Sequence, residues 1–327
     1  MENKVSGCGL EQFASPQIPV EMIESWFIEA PLHGLDDIIG NKELKQRLQR
    51  EMECLYAPGH SSLNRCLNMP LTCCYVLYGL PGTGKTYLAG AVSRELQEKY
   101  GFKLIRLQGS DIHCSSIGVA EKIIETAFAV AVAQAPCVLW VDDIDDVCRD
   151  WSFAKEEHHR RMTVAFELGY SHMRSSQKPV VLLGTTNDPA RVSERLMSKV
   201  LRLKISLPDI ESRTHCISKA FSRFTLEEGF TPEEMAAATE QFDYRELNRL
   251  CEYTCNQLMQ QLCDTCAVLD EAGNVDARAT DEAAFRKLQD GGVQITRALF
   301  HQSLQEIPPS NKSQLLEKQQ EYEANFL

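Results

Sequence analysis

One stretch constrains the whole chain. The apolar run Cys74-Tyr75-Val76-Leu77-Tyr78 leads into Gly79-Leu80-Pro81-Gly82-Thr83-Gly84-Lys85-Thr86. These eight residues fit the phosphate-loop pattern G-x-x-x-x-G-K-[ST] at every fixed position. The run before the loop is β-like and the pattern after it is helical. The glycines let backbone N–H groups turn inward around a polyphosphate, and the following helix presents its N-terminal dipole to the same anion. Lys85 reaches the β- and γ-phosphates in such a loop, and Thr86 ligates Mg²⁺. Gly79 to Thr86 and the adjoining Tyr87 are therefore the expected contacts of a nucleotide.

The surrounding pattern supplies a matching fold. Strands are predicted at 74–78, 102–107, 137–141, 180–184 and 201–205. Helices are predicted at about 41–56, 85–99, 119–133 and 156–174. Strands alternating with helices of this length imply βαβ units and a five-stranded parallel sheet covered on both faces. Asn41 is the expected cap of the first of these helices. Beyond Pro208-Asp209 the strands stop, and the pattern is helical at about 210–221, 232–238, 244–268 and 296–306. Residues 270–281 read as a loop. The expected organisation is an arm or linker over 1–34, an α/β nucleotide-binding domain over 35–209 and a helical domain over 210–327. Part of the arm, which is weakly patterned, is expected to be mobile when isolated.

Carboxylates follow the third strand in Val141-Asp142-Asp143-Ile144-Asp145-Asp146. A buried strand ending in acids is the second element of a phosphate-loop NTPase. Asp142 is placed to hold Mg²⁺ through water, and Asp143 to act as general base for an attacking water. The fourth strand ends in Thr185-Thr186-Asn187, where an amide orients water or touches the γ-phosphate. Catalytic roles thus fall to Lys85, Asp142, Asp143 and Asn187, and metal binding to Thr86 and Asp142.

A net charge of −12 over 327 residues argues against a broad nucleic-acid footprint. The chain carries 13 cysteines. No basic start precedes an apolar core, so no signal peptide is expected, and reduced thiols in the cytoplasm are the simplest reading. Cys251, Cys255, Cys263 and Cys266 fall on one predicted helix, where the first and last stand about 22 Å apart along the axis. Four ligands so spread cannot share one Zn²⁺, and structural thiols are expected. The longest apolar stretch, 126–141, contains Gln134 and Pro136 and is too short to span a membrane.

Together these motifs resemble the AAA family of the AAA+ ATPases, and its katanin and spastin branch in particular, from about Leu35 to the end. Leu35-Asp36-Asp37-Ile38-Ile39-Gly40 is similar to the family's opening motif, which implies that Asp37, Ile39 and Gly40 help to hold adenine. His159-Arg160-Arg161 resembles its paired arginines, and Leu207-Pro208-Asp209 with Arg213 resembles the passage to the helical lid. Ile307-Pro308-Pro309-Ser310 and the segment from Leu315 to Phe326 resemble the C-terminal helix of the katanin and spastin branch. The resemblance implies ATP and Mg²⁺ as ligands, a hexameric or mixed ring, and a protein partner that is remodelled.

Four departures qualify that expectation. Asp143 stands where the family usually has Glu; misplacement of about 1 Å costs on the order of 100-fold, so slower hydrolysis is expected unless the backbone moves in. No arginine stands at 197–199, where the family reaches a neighbouring subunit's γ-phosphate; Arg195, Lys199 and Arg202 are the nearby cations. The pore-loop triplet is Ser116-Ile117-Gly118, without the usual aromatic residue. Arg245 falls where many AAA+ proteins sense phosphate, and it also suits a solvated helix start. Two alternatives to a remodelling ATPase stay open: a nucleotide-binding scaffold with weak or no hydrolysis, and a DNA-associated loader, against which the acidic balance and the C-terminal segment speak.

Overall fold

A computed structural model describes residues 9–57, 66, 72–109, 112, 118–154, 156–268, 275–289 and 293–326. The chain groups into two compact units. One runs to Ser206 and resumes at Ser313; the other is Leu207–Lys312.

The first unit is built on a parallel sheet of five strands: β1 (Cys73–Tyr78), β2 (Lys103–Gln108), β3 (Cys137–Asp142), β4 (Val180–Thr186) and β5 (Leu201–Lys204). Their order is β2-β3-β4-β1-β5. Strands buried on both faces carry near-continuous apolar runs, and every residue of β4, at the centre, is buried. Helices Lys85–Tyr100, Val119–Ala133 and Glu157–Ser175 form the crossovers. One face of the sheet packs Leu88, Leu96, Val138, Trp140 and Leu183. The other packs Ile124, Phe128, Leu139, Phe166 and Leu182, with Phe128 and Phe166 edge to face at 5.0 Å. All five strands, and the five-stranded parallel sheet they form, stand where the sequence places them, within one or two residues at each end.

Within the described residues, the N-terminal segment pairs with the edge of the sheet. Ile28 N donates to Leu104 O at 3.1 Å, and Arg106 N donates to Trp26 O at 2.9 Å. These bonds cover the outer edge of β2, which would otherwise present unpaired backbone groups. Ile18, Ile23 and Trp26 are buried in the same core as Phe128. Asn41 stands before helix Lys42–Tyr56 as expected, but in the left-handed region and without a side-chain cap bond.

The final helix, Ser313–Phe326, belongs to the first unit, not to the helical domain over 210–327 that the sequence suggests. Tyr322 meets Tyr78 edge to face at 5.9 Å, and Lys204 pairs with Glu323 at 2.8 Å. An amphipathic helix shows in sequence which face it buries, not which partner it buries it against.

The second unit packs helices Ile210–Ala220, Pro232–Ala238, Tyr244–Thr265, Ala277–Gln289 and Arg297–Glu306 around Ile217, Phe230, Leu247 and Phe300. Side-chain caps set its helix starts: Asp209 accepts from Ser212 N, and Asp243 with Glu246 forms a reciprocal capping box. Helix Ala277–Gln289 overlaps the predicted loop. Asp276 accepts from the N–H groups of Arg278 and Ala279 and so starts a helix where its turn-forming character suggests a bend. Cys251 is buried and Cys255, Cys263 and Cys266 are half-buried; all four are free thiols against this core. Burial pushes the Cys251 thiol up to about 12. No described helix is long and apolar enough to cross a membrane.

Candidate functional site

The phosphate-loop residues form a tight turn between β1 and helix Lys85–Tyr100. At Gly79 the backbone passes so close to β5 that a Cβ would lie 2.2 Å from Ile205 O. Gly84, at φ 89°, turns the chain into the helix. Thr83 Oγ1 donates to Leu80 O at 2.9 Å. Lys85 is buried, and its ammonium donates to Gly79 O at 3.0 Å and Leu80 O at 2.8 Å. The lysine thus lies across the loop. Pro81 and Gly82 are half-buried, and Thr86 and Tyr87 are exposed at the first turn of the helix.

The strand-end carboxylates converge on the same place. Asp142 Oδ1 accepts from Thr86 Oγ1 at 3.3 Å and from Thr185 Oγ1 at 2.5 Å. Its Oδ2 accepts from Arg106 Nη2 at 2.7 Å. Asp143 is in the left-handed region at φ 51°, and its N–H donates to Thr185 Oγ1 at 3.2 Å. Asn187 Nδ2 lies 3.5 Å from Asp143 Oδ1. Burial, then the neighbouring Asp142 and Asp146 carboxylates, push the Asp143 carboxyl above its ordinary range, against the pull of Lys85. Asp145 accepts from Thr186 Oγ1 at 2.7 Å, and Asp146 pairs with Arg149 at 2.7 Å. Lys85, Thr86, Asp142, Asp143 and Asn187 therefore gather at the carboxyl ends of β1, β3 and β4, where open α/β sheets bind their ligands.

Two participants were not singled out from the sequence. Thr185 ties β4 to both acids. Arg106 comes from β2, where its only sequence signal is a charge inside the apolar run Leu104-Ile105-Arg106-Leu107.

The remaining expected contacts are distributed as follows. Asp37 Oδ2 accepts from Gly34 N at 2.8 Å and closes the short helix Leu35–Asp37. Ile39 and Gly40 follow it, half-buried. His33 stacks on Tyr87 with ring centroids 3.6 Å apart, which brings this segment to the loop helix. Arg245 is exposed in the first turn of helix Tyr244–Thr265, in the second unit. Met197 is buried. Arg195 and Lys199 are exposed, Arg195 at 3.8 Å from Glu167, whereas Arg202 donates to Tyr322 Oη at 3.3 Å. Ser116 and Ile117 lie outside the described residues.

Residues 75–208 match the model of the ATPase family associated with various cellular activities (AAA). These residues are an AAA domain. Beyond it, the chain is similar to a spastin of Naegleria gruberi, 26% identical over 292 residues, which cover 88% of this chain and 53% of that protein. It is also similar to the meiotic spindle formation protein mei-1 of Caenorhabditis elegans, 29% identical over 223 residues, covering 67% of this chain and 46% of that protein. The chain spans about half the length of the curated relatives it matches. Among solved structures, the FIGL-1 AAA domain in complex with ADP aligns at a TM-score of 0.66 with 20% identity, covering 94% of this chain and 96% of that one. A katanin structure, described for its self-assembly, aligns at 0.65 with 24% identity and the same coverage. These two likenesses show the AAA fold.

Proposed function

We propose that the AAA domain binds and hydrolyses ATP within an oligomeric ring and uses that cycle to remodel a protein partner. The observation that carries this reading is the convergence of Lys85, Thr86, Asp142, Asp143 and Asn187 from three strand ends. Lys85 neutralises phosphate charge, and the loop N–H groups from Gly79 to Thr86 hold the phosphates. Asp143, its proton affinity raised by burial, accepts a proton from the attacking water, and Asn187 orients that water. Thr86 Oγ1 and Asp142 Oδ1 are hard oxygens of the kind Mg²⁺ takes, although the other oxygen of the same carboxylate is held by Arg106. Bound there, Mg²⁺ would neutralise charge on the β- and γ-phosphates. Asp37, Ile39, Gly40 and Tyr87 would border the base. The ring and the protein partner are supported by the spastin-like and katanin-like relatives.

Phosphate release tests the reading. Turnover by the wild-type protein that is lost in both Lys85→Ala and Asp143→Asn supports it. ATP binding without turnover would favour the second reading, a nucleotide-binding scaffold. Two observations favour that alternative: the short arm of Asp143, and the exposed Lys199 where a trans arginine is expected. Capture of partners by Asp143→Asn in the presence of ATP would identify what is remodelled.

A further inference from the structure

Asp142 already has a cation. Arg106 Nη2 reaches its Oδ2 at 2.7 Å, while Oδ1 accepts from two hydroxyls. The arginine is held by the sheet itself. Arg106 is the register partner of Trp140, and its guanidinium lies over the Trp140 ring at 4.4 Å from the centroid. Its backbone N–H is bound by Trp26 O, so the N-terminal segment fixes the strand that carries it. The side chains of Arg106 and Asp142 are 27% and 14% exposed, too sheltered for the pair to be screened like a surface ion pair. Arg106 Nε is buried and has no hydrogen-bond acceptor among the described residues. A guanidinium kept at such a cost indicates a role beyond stability.

A divalent cation arriving at Asp142 meets this fixed positive charge. Either it displaces the guanidinium, stranding a partly buried arginine, or it shares the carboxylate with it and is repelled. Mg²⁺ demands near-octahedral oxygen ligation and sheds water reluctantly, so it gains least where a ligand oxygen is already engaged. The phosphates do not depend on the metal alone, because Lys85 and the loop N–H groups remain.

We propose that Arg106 stands at the metal carboxylate as a built-in cation, so that this site takes a nucleoside triphosphate with little dependence on Mg²⁺. The inference rests on the nucleotide reading above, and its test separates the two. Titration with a fluorescent N-methylanthraniloyl ATP, in Mg²⁺ and in EDTA, gives the ratio of the two dissociation constants. The wild-type ratio is expected below about 3-fold, and that of Arg106→Gln above about 10-fold in favour of Mg²⁺. Arg106→Lys, which keeps the charge, is expected to stay near the wild-type ratio. A wild-type ratio of about 10-fold or more overturns the proposal. That measurement needs no variant, so it decides even where Arg106→Gln does not fold. An unchanged ratio in a folded Arg106→Gln overturns it as well. Absence of binding in both buffers overturns the nucleotide reading itself and this proposal with it.

Discussion

Thr86 and Asp142 lie on different elements and 56 residues apart, yet their side-chain oxygens meet at 3.3 Å. The contact joins the helix after β1 to the end of β3 across the intervening β4. It exists because β4 sits between β1 and β3, and because Thr185 of β4 binds the same carboxylate oxygen.

Asp143 and Asn187 are expected to limit turnover. Asp143→Glu lengthens the arm by one methylene and should raise the rate of phosphate release by about 10-fold if the short arm is the limitation. Asn187→Ala removes the amide 3.5 Å from Asp143 and should lower the rate by a similar factor, without loss of ATP affinity. Rates of phosphate release at saturating ATP check both.

Gly79 is expected to tolerate no side chain. A Cβ there meets a backbone oxygen at 2.2 Å, which a side-chain rotation cannot relieve. Gly79→Ala should destabilise the α/β unit by about 2–4 kcal/mol, read as a lower midpoint in urea.

Trp26 anchors the N-terminal segment on the edge of β2. It is 4% exposed and belongs to the main core of the α/β unit. Trp26→Ala should cost about 3–5 kcal/mol. Because Trp26 O also binds Arg106 N, faster hydrogen exchange at the Arg106 amide should accompany the loss. An unchanged melting temperature and unchanged exchange would contradict the packing described.

The helical unit is expected to weaken in acid. Partial burial pushes Glu246 up, but bonds from Lys312, Ser310 and the N–H of Asp243 outweigh it and hold the carboxyl at about 2, against an ordinary 4.5. A carboxyl depressed on folding contributes stability that is complete above about 4.5 and is lost as pH falls toward 2. Glu246→Gln should remove about 1–2 kcal/mol at neutral pH and flatten the stability profile between these values. Chemical denaturation across that range, for both proteins, checks the sign.

β1, β3 and β4 were legible because each carries a near-continuous apolar run; β2 and β5, which carry Lys103, Arg106, Arg202 and Lys204, were legible from their place in the alternation of strands and helices. Lys85, Thr86, Asp142, Asp143 and Asn187 were legible because loop pattern and strand ends fix their places. Arg106 was not: a single charge in an edge strand says nothing of the register that sets it over Trp140. The N-terminal segment was not, because its bonds to β2 are isolated and impose no period. The final helix shows its apolar face in sequence, but its docking depends on Tyr78 and Lys204, more than 100 residues earlier. Helix Ala277–Gln289 was hidden by the turn-forming residues before it.

The central claim, that this site turns over ATP as part of an assembly, is tested most directly by phosphate release per protomer against protein concentration. The rate per protomer is predicted to rise with concentration as subunits associate, and to vanish in Lys85→Ala at every concentration. No phosphate release at any concentration, or a rate untouched by Lys85→Ala, would contradict it.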